Sequence, residues 1–325
     1  MKICVLGLDS AAPEVVFGDE RLVNIRRLMD LGVYGRLESG VPPRAVPAWI
    51  CMSTSQKPHG DNDANSDSIG AITIWDQLAR EGKKSIIVGV PPNFPPRQIN
   101  GISIGCCLTP DTVNHDFTHP PEIKSKINEL VGEYPVDVKN LDDGDKGSLQ
   151  ERIVSMSRKQ WEVARWLLSE QEWDYFHFVD IGLDRMYKVF SSDFDENHAR
   201  SKAGNPYRNV IPEYYAELDE QIGAVLELLD GETMLLLISP YAAQDVQHGM
   251  FILFAPNCPL QGEFEGARLL DMAPTLLDLA GYEIPEAMQG KSLVAGMEKK
   301  TPDGGPDPSE AEKIIHDRLA GLGYV

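Results

Sequence analysis

Apolar strands alternate with amphipathic helices along this chain, and that alternation constrains the fold more than any other feature. Four segments have the apolar composition of strands buried on both faces: 2–8, 85–90, 175–179 and 233–238. Helical patterns occur at 23–31, 76–80, 149–170 and 214–229. Strands and helices in this order predict an α/β protein, a three-layer α/β/α sandwich with a mostly parallel central sheet.

The length of 325 residues is enough for one large α/β domain with a smaller cap. We predict that this domain covers residues 1–296, with weakly periodic peripheral or cap segments at 103–150 and 190–212. A Gly-, Pro- and Asp-rich linker is predicted at 297–308. The last segment, 309–325, is expected to form a helix that docks back on the domain.

The net charge of the chain is −20, from 50 acidic and 30 basic residues. This charge repels phosphate polymers and anionic lipids, so neither a nucleic acid nor a membrane is expected as a partner. Five cysteines without a CxxC pair do not indicate a disulfide framework or a zinc site: Cys4, Cys51, Cys106, Cys107 and Cys258. A reducing, cytoplasmic location is the resulting expectation. The sequence leaves the oligomeric state open.

Polar residues follow three of the predicted strands directly. They are Asp9 and Ser10, residues 180–184 and residues 239–241. In open parallel sheets, binding sites lie at the carboxyl ends of the strands. We therefore predict a site at this edge of the sheet.

Four motifs carry a resemblance to a known family: VLGLD at 5–9, VPPRAVPAW at 41–49, DRMYK at 184–188 and GARLLDMAPT at 266–275. Together they resemble the type I phosphodiesterase and nucleotide pyrophosphatase branch of the alkaline phosphatase superfamily. The resemblance covers nearly the whole chain, and it implies an alkaline-phosphatase-like fold with a reduced cap.

The resemblance also implies a catalytic site with two divalent metals, usually zinc, and a threonine or serine nucleophile between them. The first metal ligand of the family matches Asp9. The nucleophile position matches Ala45, which has no oxygen with which to attack phosphorus. The resemblance therefore implies a fold without the family's covalent chemistry.

The other ligand positions of the family are mostly replaced. An aspartate and histidine four residues apart match Asp184 and Lys188, and a protonated lysine cannot bind zinc. A second aspartate–histidine pair matches Pro240 and Tyr241. The last histidine position matches Asp245.

His248 lies close to this last position. The substrate-covering insertion usual before it in the family is missing. We predict no metal or other cofactor, since only carboxylates remain at ligand positions.

Carboxylates left without metals repel each other unless another cation joins them. The predicted ion-pair cluster joins Lys188, with Arg44 or Arg185 as a further cation, to Asp9, Asp184 and Asp245. A distance above about 6 Å between Lys188 and all three carboxylates would contradict this hypothesis. The alternative is a lysine that points into solvent.

Further residues are candidates for a binding or catalytic role. Ligand-binding candidates are Ser10, Trp49, Arg185, Asp245 and His248, and catalytic candidates are Lys188, Asp9, Asp184, Arg44 and Tyr241. Trp49 and Tyr241 suit stacking on a ring at the mouth of the site, although aromatic core packing is the commoner role. A new metal site formed by His115 and His119 is a weaker alternative, because both lie in a proline-flanked loop.

Two classes of function follow from these replacements. The first is a non-hydrolytic protein that binds a small ligand or a partner. The second is an enzyme repurposed for metal-free chemistry on a small molecule, phosphorylated or not. Residual metal-dependent hydrolysis of phosphate esters is the remaining alternative.

Overall fold

The computed structural model describes residues 1–40, 44–57, 71–142, 144–194, 204–243 and 247–298. Asp245, nearly all of the predicted linker and the predicted C-terminal helix lie outside the described residues. Within the described part of the chain, no helix combines the length and the apolar composition needed to cross a membrane.

In the described residues, ten strands form one mixed sheet. Their bounds are β1 Ile3–Leu8, β2 Val33–Glu38, β3 Ser85–Val88, β4 Gly101–Ile104, β5 Thr118–His119, β6 Tyr175–Asp180, β7 Met234–Ser239, β8 His248–Phe254, β9 Gly262–Glu263 and β10 Ala267–Arg268. The order across the sheet is β10-β2-β8-β7-β1-β6-β3-β4-β5, with β9 also paired to β2. The centre, β7-β1-β6-β3-β4, is parallel, while β8 runs antiparallel to β7 and β2. The predicted α/β class with a mostly parallel sheet is confirmed.

The α-helices of the described residues lie between and around these strands. Their bounds are α1 Pro13–Gly18, α2 Val23–Leu31, α3 Ala45–Thr54, α4 Ile74–Arg80, α5 Ile123–Val131, α6 Lys146–Glu170, α7 Gly182–Phe194, α8 Val210–Leu226 and α9 Met272–Ala280. Helices α2, α6, α7 and α8 pack against one another, and α3 packs against α9. Every residue of β1, β6 and β7 is buried, as expected for strands covered on both faces.

Helix α6 begins earlier than periodicity predicts, and the reason is a cap. The side chain of Asp145 accepts a hydrogen bond from the backbone N–H of Ser148, at 3.2 Å. This bond satisfies one of the free donors at the helix start, so the helix begins at Lys146 rather than at 149. The acidic turn before the helix is therefore its N-terminal signal.

The segment predicted as peripheral, 103–150, contributes an edge strand to the sheet. Strand β5 pairs antiparallel with β4, and α5 packs against both β5 and α6. Residues 133–139 follow α5 in this segment, and they include Asp137, which pairs with Arg185 at the start of α7. The division into domain, cap and linker stays a prediction.

Candidate functional site

The candidate site lies where β1, β6 and β7 end, at the predicted edge of the sheet. The backbone N–H of Asp9 bonds to the carbonyl of Asp180 at 2.9 Å, which joins the ends of β1 and β6. Ser10 forms a parallel bridge with Ala242, which joins the loops after β1 and β7. Ser10 has φ of 72°, a left-handed conformation that is uncommon for serine and concentrated at functional sites.

Asp9 is buried and accepts hydrogen bonds from neutral groups on both oxygens. Trp49 Nε1 donates to Oδ1 at 3.2 Å, and the Tyr241 hydroxyl donates to Oδ2 at 3.4 Å. Burial, with a smaller effect from Asp184, raises the pKa of Asp9 to about 7, although both donors and Arg185 oppose the shift. This carboxyl group therefore changes between its protonated and ionised forms near neutral pH.

Trp49 reaches Asp9 because Gly7 leaves room on β1. A Cβ atom at position 7 would lie 2.3 Å from the Trp49 ring, which is closer than any real contact. The Trp49 side chain is fully buried and meets His177 edge-on, with 5.6 Å between ring centroids. Trp49 thus lies beneath the site rather than at its mouth, so it has the core-packing role considered as the alternative.

Asp184 is joined to two cations on the first turns of α7. Lys188 Nζ lies 2.7 Å from Asp184 Oδ2, and Arg185 Nη1 pairs with the same oxygen. Ser10 Oγ lies 3.5 Å from the other oxygen, Oδ1. The spacing of four residues places Asp184 and Lys188 on one helix face, as the motif implied. Lys188 therefore meets the distance requirement of the ion-pair hypothesis through Asp184.

Arg185 extends this ion-pair cluster to Asp137, which the sequence did not indicate. Arg185 Nε and Nη2 donate to the two oxygens of Asp137 at 2.7 and 2.8 Å, a bidentate pair. Burial lowers the pKa of Arg185, but the bond and charge of Asp137 outweigh it and raise that pKa, so the guanidinium stays charged. Asp137 lies in a segment without clear periodicity, so only the tertiary fold brings it to the site.

Tyr241 is the residue that the sequence resemblance matched to a histidine of the family. Burial and the nearby charges of Asp9 and Asp184 raise the pKa of its phenol. The phenol therefore stays protonated at neutral pH and donates a hydrogen bond to Asp9. Pro240, beside it, offers no side-chain ligand atom.

The remaining predicted residues lie around this cluster. Arg44 is an exposed residue at the N-terminal cap of α3, and Ala45 is the first residue of that helix. His248 begins β8 opposite Glu38, and its carbonyl accepts a bond from Ala242 at 3.1 Å. The ion-pair hypothesis included Asp9 as a partner of Lys188, but the hydrogen bonds to this carboxylate come from neutral groups. The Trp49 indole and the Tyr241 phenol contact its two oxygens.

A second buried carboxylate supports the start of α7. Asp180, the last residue of β6, accepts hydrogen bonds from Ser157, Trp161, Tyr214 and the backbone of Gly182 at 2.5 to 3.2 Å. Burial raises its pKa, and these bonds oppose the shift. With four donors, Asp180 fixes the turn that presents Asp184, and it is not available as a ligand.

The donor set does not fit two metal ions. Each ion needs about four ligands. Here both retained carboxylates have side-chain partners, Lys188 is a cation, and Tyr241 keeps its proton. Among the residues that the structure describes, no three His, Cys, Asp or Glu side chains are grouped as a metal site.

Solved structures with this fold include several hydrolases. A 2-O GAG sulfatase matches with a TM-score of 0.62 and 13% identity over 92% of this chain and 75% of its own. The phosphonate monoester hydrolase of Silicibacter pomeroyi matches with a TM-score of 0.55 and 16% identity over 90% and 75%. These likenesses define the class of protein, an α/β chain with the fold of the alkaline phosphatase superfamily.

A third match is a protein solved in complex with its substrate, D-glucosamine-2-N,6-O-disulfate. It has a TM-score of 0.54 and 16% identity over 94% of this chain and 82% of its own.

The family model for type I phosphodiesterase / nucleotide pyrophosphatase matches residues 59–256. The chain therefore belongs to the type I phosphodiesterase / nucleotide pyrophosphatase family, as the motifs had indicated. A search of curated protein sequences found no match.

Proposed function

We propose that this chain is a metal-independent, non-hydrolytic member of its family that binds a small ligand. The observation that carries the proposal is that both retained metal-ligand carboxylates are engaged by side chains. Asp184 pairs with Lys188 and Arg185, and Asp9 accepts bonds from Trp49 and Tyr241. A metal ion would have to displace the two cations at Asp184 and the two neutral donors at Asp9.

The start of α3 supports the loss of hydrolysis. Ala45, the first residue of α3, stands at the nucleophile position of the family, four residues before Trp49. That spacing is about one helical turn, so the helix start lies near the residue that contacts Asp9. Ser10, at the end of β1, has its hydroxyl oxygen 3.5 Å from Asp184, but that carboxylate is already paired with Lys188 and Arg185 and is a poor base for activating a nucleophile.

A cavity beside the cluster supports ligand binding. It has a volume of about 620 Å³ and is lined by Thr112, Tyr134, Asp137, Arg152 and Lys159, among others. Small-molecule sites usually have volumes of about 300 to 1,000 Å³. Because Asp137 also pairs with Arg185, a ligand in this cavity would be coupled to the ion pairs at Asp184. We propose this cavity as the ligand site.

Metal content and hydrolysis test the first part of the proposal. The purified protein should contain no stoichiometric metal and should not turn over a nitrophenyl phosphodiester with added zinc or manganese. Stoichiometric metal together with turnover would show residual metal-dependent hydrolysis and overturn the proposal.

A thermal-shift screen tests the second part, because a ligand that binds only the folded state raises the melting temperature. Phosphorylated sugars and nucleotides are suitable probes. A hit should lose its shift in Arg152→Gln, which alters the cavity wall. It should keep the shift in Arg158→Gln, an exposed residue on the same helix that pairs with Glu217. Equal shifts in both variants would contradict the proposed site.

Metal-free catalysis is the second candidate function, and the pKa of Asp9 favours it. A carboxyl with a pKa of about 7 beside a tyrosine hydroxyl is suited to proton transfer at neutral pH. If a ligand from the screen is slowly converted, Asp9→Asn should abolish conversion while binding persists. Unchanged conversion in that variant would exclude this role for Asp9.

We also propose a reducing compartment for this protein. Among the described residues, which include all five cysteines, no disulfide is formed, and this supports that location. Mass spectrometry of protein alkylated in cell lysate should find five modified thiols, and a native disulfide would contradict this proposal.

A further inference from the structure

A small cavity lies on the other side of Trp49, between α3, the start of α4 and the loop after β3. Its space for water-sized particles is about 20 Å³. The residues that line it include Trp49, Ser53, Thr73, Trp75, Pro92 and Arg97. None of the residues that hold the Asp9 and Asp184 cluster, apart from Trp49, takes part in it.

Three of these lining residues have a buried polar atom without a hydrogen-bond partner. The atoms are Ser53 Oγ, Trp75 Nε1 and Arg97 Nη1. Ser53 and Trp75 are 2% and 7% exposed, so water outside the protein does not reach these groups freely. Unpartnered buried donors are rare in folded proteins, and three around one cavity point to a missing acceptor.

The chemistry of the three groups defines that acceptor. The indole of Trp75 and the guanidinium of Arg97 can only donate, and the Ser53 hydroxyl can donate as well. The other arm of Arg97, Nη2, lies 3.7 Å from Asp76. Asp76 is already bound by the hydroxyl and the backbone N–H of Thr73, at 2.6 and 3.1 Å. These contacts all fall on Asp76 Oδ2, and Arg97 Nη1 has no acceptor among the described residues.

We propose that this cavity binds a small monovalent anion of the halide class. A halide accepts from all three donors and has no hydrogen to place, whereas a water molecule would need acceptors for its own two hydrogens. A space of about 20 Å³ takes one particle of this size and excludes phosphate or a sugar. The anion would join α3, α4 and the loop carrying Arg97, and it would support Trp49 from the side opposite Asp9. This site is separate from the proposed ligand cavity, and its test does not depend on that proposal.

Thermal unfolding in sodium chloride and in sodium gluconate, at equal ionic strength, measures anion binding. Gluconate is too large for the cavity. We expect a melting temperature about 2 °C higher in chloride, the shift for an anion present at roughly ten times its dissociation constant. The difference should vanish in Arg97→Met and in Ser53→Ala. It should persist in Arg80→Met, which removes an exposed arginine of α4 that does not line the cavity.

The comparison is between two salts for each variant, so a change in basal stability does not affect it. An equal chloride effect in the wild-type protein and in Arg97→Met would overturn the proposal. Crystals soaked in sodium bromide give the direct test. A bromide anomalous peak within hydrogen-bonding distance of Trp75 Nε1 and Arg97 Nη1 is expected. An ordered water without anomalous signal at that position would overturn the proposal.

Discussion

Asp9 and Asp184 are the two carboxylates that the sequence resemblance matches to metal ligands of the family, and their surroundings stabilise them in opposite ways. Asp9 is buried under α3, and its partners are an indole N–H and a phenol O–H. Asp184 lies at the start of α7, where Lys188 reaches solvent and Arg185 connects to Asp137. The degree of burial agrees with the difference. Asp9 is fully buried, where a charged pair is costly and a carboxyl with a raised pKa avoids that cost, whereas the side chains of Asp184 and Arg185 remain 13% and 11% exposed.

The largest effect on stability is expected at Arg185, which pairs with both Asp137 and Asp184. Arg185→Met removes the bidentate pair with Asp137 and one partner of Asp184, both mostly buried. Breaking a buried pair on one side costs about 3 to 5 kcal/mol, because an uncompensated charge remains. Urea unfolding should show a loss of this size. A loss below about 1 kcal/mol would mean that Asp137 is readily hydrated and that the cluster is not a stabilising element.

The pH dependence of the unfolding free energy tests how Asp9 is stabilised. Its pKa is about 7 in the folded protein, against 3.8 for an ordinary aspartate. The folded state therefore holds the proton more tightly, and the stabilisation is fully present below about pH 4 and lost as pH rises to about 7. The effect is on the order of 4 kcal/mol. The unfolding free energy of the wild type, relative to that of Asp9→Asn, should fall as pH rises from about 4 to about 7 and stay constant above that. A constant difference throughout would contradict a raised pKa.

Trp49→Phe tests the neutral donors on Asp9. It removes the N–H that donates to Oδ1 and also part of the fully buried indole, whose loss costs packing energy at every pH. We expect the total loss to be about 1 to 3 kcal/mol larger at pH 8, where Asp9 is ionised, than at pH 5. Trp166→Phe, at a partly exposed position on α6, is the matched control and should have little effect at either pH.

Lys188→Met should have the smallest effect on stability. The lysine side chain is 55% exposed, and Arg185 still neutralises Asp184 without it. Exposed pairs contribute about 0 to 1 kcal/mol, and the contribution falls in high salt. A loss above about 2 kcal/mol in urea unfolding would show that Lys188, and not Arg185, is the main replacement for the metal.

The sequence predicted the fold from local patterns, because buried strands such as β1 and β7 are nearly continuous apolar runs. It also predicted the pairing of Asp184 with Lys188, since one helical turn determines their separation. It did not indicate Asp137 or the donors on Asp9. Those contacts join segments far apart in the chain, and they depend on how α3 and residues 133–139 pack on the sheet.

The central claim is that side chains have replaced the metals at Asp9 and Asp184. Calorimetric titration of zinc into the wild-type protein, Asp9→Asn and Asp184→Asn tests it most directly. We predict no stoichiometric zinc binding that differs among the three proteins. Stoichiometric binding in the wild type that is lost in both variants would contradict the claim.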